Sequence, residues 1–272
     1  MSILLFLKSI LIAVVEGITE FLPISSTGHM VLVGSIIGFN GDFANLYEIF
    51  IQFGAIIAVI VLFRHKIVAS LKSLKPGKFG FRLWSGVVVA FIPAAVIGVI
   101  FNKKIEQYLF HPVPIAISLL VGGILMIITE NKFKNNSTTK RPEDITLQQS
   151  FKIGLFQCLS LWPGFSRSAS TIIGGWCAGL TTAAAAEFTF FLAIPTMFAA
   201  SGYSLIKSGM HLTAGEIGML VAGFIVAFLV ALVVVRKFID YLKNKPLRVF
   251  AYYRIAVGVL ILTLAACNIV HV

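Results

Sequence analysis

Apolar residues run along this chain in blocks too long for a soluble fold. Spans 46–63, 84–101, 114–129, 183–206, 216–235 and 249–270 are apolar almost throughout. Each lies near the ~20 residues that a helix needs to cross ~30 Å of hydrocarbon, so six spanning helices are predicted. Two further stretches, 1–45 and 151–180, are apolar but carry polar interruptions. In the first, the pattern predicts a helix over 3–18, a stop at Pro23 and a new helix capped by Ser25, Ser26 or Thr27. In the second, a Pro163-Gly164 turn precedes another helix start. Residues 131–150 are polar, with an Arg141-Pro142-Glu143-Asp144 turn, and form the one convincing internal linker.

The two halves repeat. Glu16 aligns with Gln157, Ser25 with Ser166, Glu48 with Glu187, Gly86 with Gly223 and Gly122 with Gly258, in the same order and at slowly drifting offsets. Of the 22 Lys and Arg, six lie in 64–82, five in 131–152 and five in 236–248. Basic loops beside apolar spans stay in the cytoplasm. Span 84–101 therefore runs outward and its partner 216–235 runs inward, so the repeat is inverted. Stretch 1–45 then enters and leaves on the outer face, and 151–180 on the inner face. The predicted fold is an all-α polytopic membrane protein of two inverted-topology repeats, with six spanning helices plus two re-entrant helical hairpins whose tips meet near the midplane. Its parts are a first repeat at 1–130, a cytoplasmic linker at 131–150 and a second repeat at 151–272, within one integral membrane domain.

Composition agrees: of 272 residues, 58% are hydrophobic and 12% charged, about half the charged share of a soluble domain. The net charge of +11 would suggest nucleic acid in a soluble protein, but its clustering beside apolar spans points to anionic inner-leaflet lipid instead. Cys158, Cys177 and Cys267 show no metal spacing and are expected to pack. The first apolar segment lacks a basic n-region and a small-residue cleavage motif, and is expected to stay in the fold.

The chemistry concentrates in the two interruptions. Glu16-Gly17-Ile18-Thr19-Glu20-Phe21-Leu22-Pro23-Ile24-Ser25-Ser26-Thr27-Gly28-His29 places two carboxylates, four hydroxyls and an imidazole at membrane depth. Each ionisable group there costs several kcal/mol, which marks a site. On a helix Glu16 and Glu20 share one face and can hold a cation between them. A helix start among hydroxyls offers free N–H groups to an anion. The second tip, Pro163-Gly164-Phe165-Ser166-Arg167-Ser168-Ala169-Ser170-Thr171, adds a guanidinium suited to phosphate oxygens. Arg167 also suits the role of counter-ion to Glu16 and Glu20, and the two roles are compatible.

Together, Glu16-x-x-x-Glu20, the following Pro23-Ile24-Ser25-Ser26-Thr27-Gly28-His29 and the distant Pro163-Gly164-Phe165-Ser166-Arg167-Ser168-x-x-Thr171 closely resemble the bacitracin-resistance type of undecaprenyl-diphosphate phosphatase, along the whole chain. The resemblance implies a multi-pass enzyme of the bacterial plasma (inner) membrane that hydrolyses undecaprenyl diphosphate to undecaprenyl phosphate, recycling the carrier for cell-wall synthesis. It also implies a divalent cation, Mg or Ca. On this footing Glu16 and Glu20 are expected to hold the metal, and Arg167, Ser166, Ser168 and Thr171 to clamp the diphosphate. Ser26 is the expected nucleophile, His29 its base or the leaving-group acid, and Ser25 and Thr27 caps or phosphate donors. Direct attack by water stays open, as does a homodimer. The site is expected to face outward, with polyprenyl diphosphate and membrane lipids as partners and no nucleic acid.

A transporter or flippase for an anionic lipid is the rival reading, because inverted repeats with broken helices also build transporters. One tip carrying Glu, Ser and His and the other Arg favours the enzyme. Glu48, Glu187 and Gln52 are expected to hydrogen-bond the re-entrant backbone. Gln157 stands where Glu16 does in the first half, and suggests a second half without metal binding. His65, His111, His211 and His271 are expected to be solvated, and Arg254 to snorkel at the inner end of the last span.

Overall fold

The structure, a computed structural model, describes residues 2–133, 137–208, 212–243 and 245–270. His211 and His271 lie outside the described residues, as do positions 134–136 of the linker. Among the described residues the chain is helical, with no strand beyond an isolated bridge between Thr139 and Leu180. The helices are α1 (Ile3–Thr19), α2 (Ser26–Ile37), α3 (Asp42–Leu62), α4 (Arg64–Leu71), α5 (Phe79–Leu109), α6 (Pro112–Phe133), α7 (Leu147–Gln157), α8 (Arg167–Cys177), α9 (Thr182–Ser208), α10 (Ala214–Leu242) and α11 (Arg248–Ala266). Six of them, α3, α5, α6, α9, α10 and α11, are long and apolar enough to cross a membrane. The protein is a multi-pass membrane protein.

Local chemistry sets the ends. Thr146 with Gln149, and Thr213 with Glu216, form reciprocal capping boxes that start α7 and α10. α5 runs for 31 residues, longer than the predicted 84–101, and stays helical through Lys103 and Lys104. Asn102 donates to Glu106 one turn on, at 3.0 Å, and such i,i+4 pairs sustain a helix where it leaves the apolar layer. Pro93 and Pro195 sit inside α5 and α9 without ending them.

α1 packs on α10, α3 on α10 and α9, α5 on α7, and α6 on α11. Close approach rests on small residues, as in membrane bundles generally. A Cβ at Gly17 would meet Val230 Cβ at 2.7 Å, so α1 and α10 touch backbone to side chain there. Phe21 and Phe165, one from each interruption, are buried in a central core with Trp176 and Phe190. Phe21 meets Phe190 edge-on, with ring centroids 5.9 Å apart. That core holds both interruptions against one another.

Several polar residues take places other than those expected. Glu187 does not bond an interrupted backbone: it pairs with Lys66 at 2.9 Å, and Lys66 also holds Glu143 of the linker at 2.8 Å. The apolar run around Glu187 hid a partner contributed by α4. Gln52 accepts from the Ser201 hydroxyl at 3.0 Å and so ties α3 to α9. Arg254 does not snorkel but is wholly buried. His65 and His111 are exposed, and His111 Nε2 bonds the Gln107 carbonyl at 3.0 Å.

Candidate active site

The site is built from two matched chain breaks. α1 ends at Thr19, and Pro23, without an N–H, cannot extend it. Residues 20–24 form turns, and Ser25 takes φ 71°, ψ 102° to cap α2, its hydroxyl accepting from Gly28 N at 3.2 Å. In the second half α7 runs into a short 3-10 turn at Cys158–Leu161, and the chain turns through Pro163 and Gly164. Ser166 then takes φ 74°, ψ 121° to cap α8, its hydroxyl accepting from Ala169 N at 3.2 Å. A positive φ is costly for a non-glycine residue and persists only where the surroundings enforce it. Here two serines adopt nearly the same strained conformation at aligned sequence positions.

The two breaks bring their polar side chains to one cavity of ≈ 280 Å³. Its lining includes Glu20, Ser25, Ser26 and Thr27 from the first break, and Ser166 and Arg167 from the second. Gln52, Ser160 and Thr196 add neutral polar groups, while Leu161, Met197 and Ala200 give one side an apolar character. Ser26 Oγ donates to Glu20 Oε2 at 2.6 Å. Arg167 Nη2 reaches Glu20 Oε1 at 3.4 Å, with both side chains about nine-tenths buried. Arg167 also donates from Nη1 to the Thr189 carbonyl at 3.2 Å and lies over the Phe21 ring at 5.7 Å. Hydroxyl, carboxylate and guanidinium thus form a chain across the two breaks. Both helix starts keep first-turn N–H groups that the helix itself does not use, and Ser26, Thr27 and Arg167 of those first turns line the cavity.

Other residues expected at the site stand behind it. Ser168 is not on the cavity wall but donates to the Phe21 carbonyl at 2.8 Å, which joins α8 to the first break. Thr171 is also off the wall, bonded to the Arg167 carbonyl at 2.8 Å and to the Thr189 hydroxyl at 2.7 Å. Ser168 is turned about 100° round α8 from Arg167, while Thr171 shares the Arg167 face one turn further along the helix, where Thr189 covers it. His29 is buried off the cavity, with Nδ1 2.7 Å from the Ser25 carbonyl and Nε2 2.8 Å from the Tyr253 hydroxyl. A carbonyl only accepts, so Nδ1 carries the proton, and in the neutral ring Nε2 accepts from Tyr253. Tyr253 was not singled out in the sequence: it reads as one more aromatic in an apolar span, and only the fold brings α11 beside α2.

Glu16 is also wholly buried, and neither carboxylate oxygen has a hydrogen-bond partner. Glu20, Glu48 and Arg167 lie within electrostatic reach of it. Oxygen donors of this kind suit Mg or Ca, and Mg is commonly held by one or two carboxylates together with substrate phosphates. Among the described residues no three His, Cys, Asp or Glu side chains are grouped to enclose a metal unaided. Glu16 is not among the residues that line the cavity; its orphaned oxygens, one helical turn from Glu20, are of the donor type that a divalent cation takes.

A bundle of six membrane-length helices that encloses a carboxylate, a serine hydroxyl and a buried guanidinium at paired helix starts defines a multi-pass membrane protein with an internal polar site. The model of the bacitracin resistance protein BacA family matches residues 9–260. The chain belongs to that family. Among its relatives, undecaprenyl-diphosphatase from Clostridium tetani (strain Massachusetts / E88) is 53% identical over 270 residues, covering 99% of this chain and 100% of the relative. Undecaprenyl-diphosphatase from Thermoanaerobacter sp. (strain X514) is 53% identical over 266 residues, covering 98% and 99%. Undecaprenyl-diphosphatase 2 from Clostridium acetobutylicum is 46% identical over 303 residues, covering 99% of each.

Proposed function

We propose that this protein hydrolyses undecaprenyl diphosphate to undecaprenyl phosphate and inorganic phosphate, at the cavity between the two chain breaks. The observation that carries the site assignment is the run Ser26–Glu20–Arg167, which sets a hydroxyl, its proton acceptor and a fixed cation side by side. The substrate follows from the family and from full-length relatives named as undecaprenyl-diphosphatases. A charged head and a polyprenyl tail also suit a cavity that is polar at the helix starts and apolar along Leu161, Met197 and Ala200.

In this reading Arg167 and the N–H groups of the two helix starts receive the phosphate oxygens and neutralise their charge, which is most of what phosphoryl transfer requires. Ser26 Oγ attacks the terminal phosphorus as its proton passes to Glu20. The bond from that phosphorus to the bridging oxygen breaks, and undecaprenyl phosphate leaves. Glu20 hands its proton to the departing phosphate oxygen; the regenerated carboxylate then takes a proton from water, which attacks the phosphoserine, and returns that proton to Ser26 Oγ as inorganic phosphate leaves. Glu20, already bonded to Ser26, takes the role expected of His29, and His29 fixes the first turn of α2 through the Ser25 carbonyl. Glu16 and Glu20 would hold a divalent cation, which supplies further charge neutralisation at the diphosphate.

The two halves are read as inverted repeats with re-entrant hairpins. α2, with 12 residues, and α7 and α8, with 11 each, span under ~20 Å at 1.5 Å per residue, too short to cross ~30 Å. The shared Ser25 and Ser166 geometry supports the repeat, as does the exchange of partners in which α1 packs on α10 while α7 packs on α5. Residues 1–130 and 151–272 are then the repeats and 131–150 the linker. Ala200 of the lining is exposed and lies toward the opposite end of α9 from Glu187, so the cavity is read as having its mouth at that end. With the basic loops cytoplasmic, the mouth faces outward from a bacterial plasma membrane.

Phosphate release from undecaprenyl diphosphate by detergent-purified protein, with and without EDTA, tests the reading. Cation-dependent release that Arg167→Ala abolishes in folded protein supports it. Counterflow of undecaprenyl phosphate in liposomes, with no hydrolysis under any divalent cation, would replace it with transport.

A further inference from the structure

Arg254, in the second turn of α11, is the one fully buried arginine among the described residues that the chemistry above does not use, with 0% of its surface exposed. A buried charge that lacks a counter-ion is expensive, and among the described residues no carboxylate pairs with it within ion-pair distance. Its partners are backbone carbonyls from three separate segments. Nη1 donates to Pro23 O at 3.2 Å, and Nη2 to Gly164 O at 3.3 Å and Ser118 O at 3.4 Å. The guanidinium also lies over the Phe165 ring at 5.7 Å.

Two of those carbonyls belong to the two chain breaks, each two residues ahead of a strained capping serine: Pro23 before Ser25 and Gly164 before Ser166. The third is on α6, whose Ser118 hydroxyl donates to the Pro163 carbonyl. Carbonyls freed by a helix break need partners in an apolar layer, and one planar fork meets one from each break. Space for it is built in. A Cβ on Gly122 would collide with the Arg254 guanidinium.

We propose that Arg254 is a positioning residue that fixes the two breaks relative to one another, and so sets the Ser26 hydroxyl opposite the Arg167 guanidinium. It touches neither of them and acts through the backbone. Lysine, a point donor without the planar fork, cannot hold three carbonyls in the same geometry. The inference rests on the phosphatase reading above.

The test measures kcat and KM for phosphate release from undecaprenyl diphosphate by the parent protein and by Arg254→Met, Arg254→Lys and Gly122→Ala, with monodispersity and thermal unfolding recorded for each. Displacement of reacting groups by about 1 Å costs on the order of 10²-fold in rate. In folded protein, Arg254→Met is expected to lose about that factor in kcat with a much smaller change in KM, and Arg254→Lys to fall between it and the parent. Gly122→Ala, which keeps the arginine but crowds its seat, should show the same split. An Arg254→Met protein that folds and keeps kcat within twofold of the parent overturns the proposal. So does a loss of thermal stability in all three variants with kcat per folded molecule unchanged, and so does failure of all three to fold, since either would make Arg254 a determinant of the fold alone. Absence of release by the parent would instead overturn the phosphatase reading.

Discussion

Replacing Glu20 by glutamine separates its role as a proton acceptor from its role as a hydrogen-bond acceptor. The carboxylate serves two partners, Ser26 at 2.6 Å through Oε2 and Arg167 at 3.4 Å through Oε1. Glutamine keeps the volume and one acceptor oxygen, so Ser26 can stay in place, but the amide cannot take up its proton. General base catalysis contributes ~10²–10⁴-fold, which at ~1.4 kcal/mol per tenfold is about 3–5 kcal/mol of barrier. Arg167, freed from its counter-charge, should bind phosphate no more weakly than before. The amide is also a weaker cation ligand than the carboxylate, so Mg is raised until the rate no longer rises. There Glu20→Gln is expected to lower kcat by ~10²–10⁴-fold with KM within a few-fold of the parent, measured as phosphate release. Glu20→Asp, which withdraws the carboxylate by about one C–C bond, should lose less. A Glu20→Gln protein that retains kcat within fivefold, beside a His29→Ala protein that is inactive though folded, would refute the assignment and return the proton to His29.

Other consequences are smaller or more local. Tyr253→Phe removes the hydroxyl that meets His29 Nε2 but keeps the stacked rings, 5.5 Å apart; it should cost about 1 kcal/mol and a few-fold in kcat, and a loss equal to that of Ser26→Ala would place the pair in the chemistry. Thr171→Val leaves the buried Thr189 hydroxyl without its partner at 2.7 Å, and should lower stability by ~1–3 kcal/mol, read by thermal unfolding. Outside the membrane, burial alone raises the Glu143 carboxyl, but the hydrogen bond and charge of Lys66 outweigh it and hold it below its ordinary value. Burial pulls the Lys66 ammonium down, while Glu143 and Glu187 outweigh that and hold it above its ordinary value. The linker contact is then fully present near neutral pH, and is lost as pH falls through the depressed Glu143 titration or rises through the elevated Lys66 one. Glu143→Gln at pH 7 should speed proteolytic cleavage within 137–146, and acid should bring the parent to the same rate; equal rates for parent and variant at pH 7 would contradict this.

Much of the architecture was legible because lipid leaves few options. A span such as 216–235 has no reading but a membrane helix, and Pro23 followed by three hydroxyls, like Pro163-Gly164 before Ser166, signals a break and a restart. The cavity groups Glu20, Ser26 and Arg167 stood out because charge at membrane depth demands a reason. What sequence could not carry was direction. Ser168 and Thr171 share the Arg167 motif, yet helical phase turns Ser168 toward the Phe21 carbonyl and Thr171, a turn further along the same face, is covered by Thr189. His29 is three residues from Ser26, yet its ring is drawn to Tyr253, which is 224 residues away. Arg254 reads as a snorkelling residue until the fold places three carbonyls around it, and backbone acceptors leave no trace in a sequence. Glu187 and Lys66 likewise meet only once α4 folds beside α9.

The central chemical claim is that the Ser26 hydroxyl, already bonded to Glu20, attacks the terminal phosphorus. Its most direct test is rapid acid quench of a single turnover on substrate labelled in the terminal phosphate, followed by mapping of the label on the protein. The account predicts label on Ser26 that rises and decays as undecaprenyl phosphate accumulates, and none in Ser26→Ala. Product formation at the parent's rate with no label on the protein at any time would contradict it.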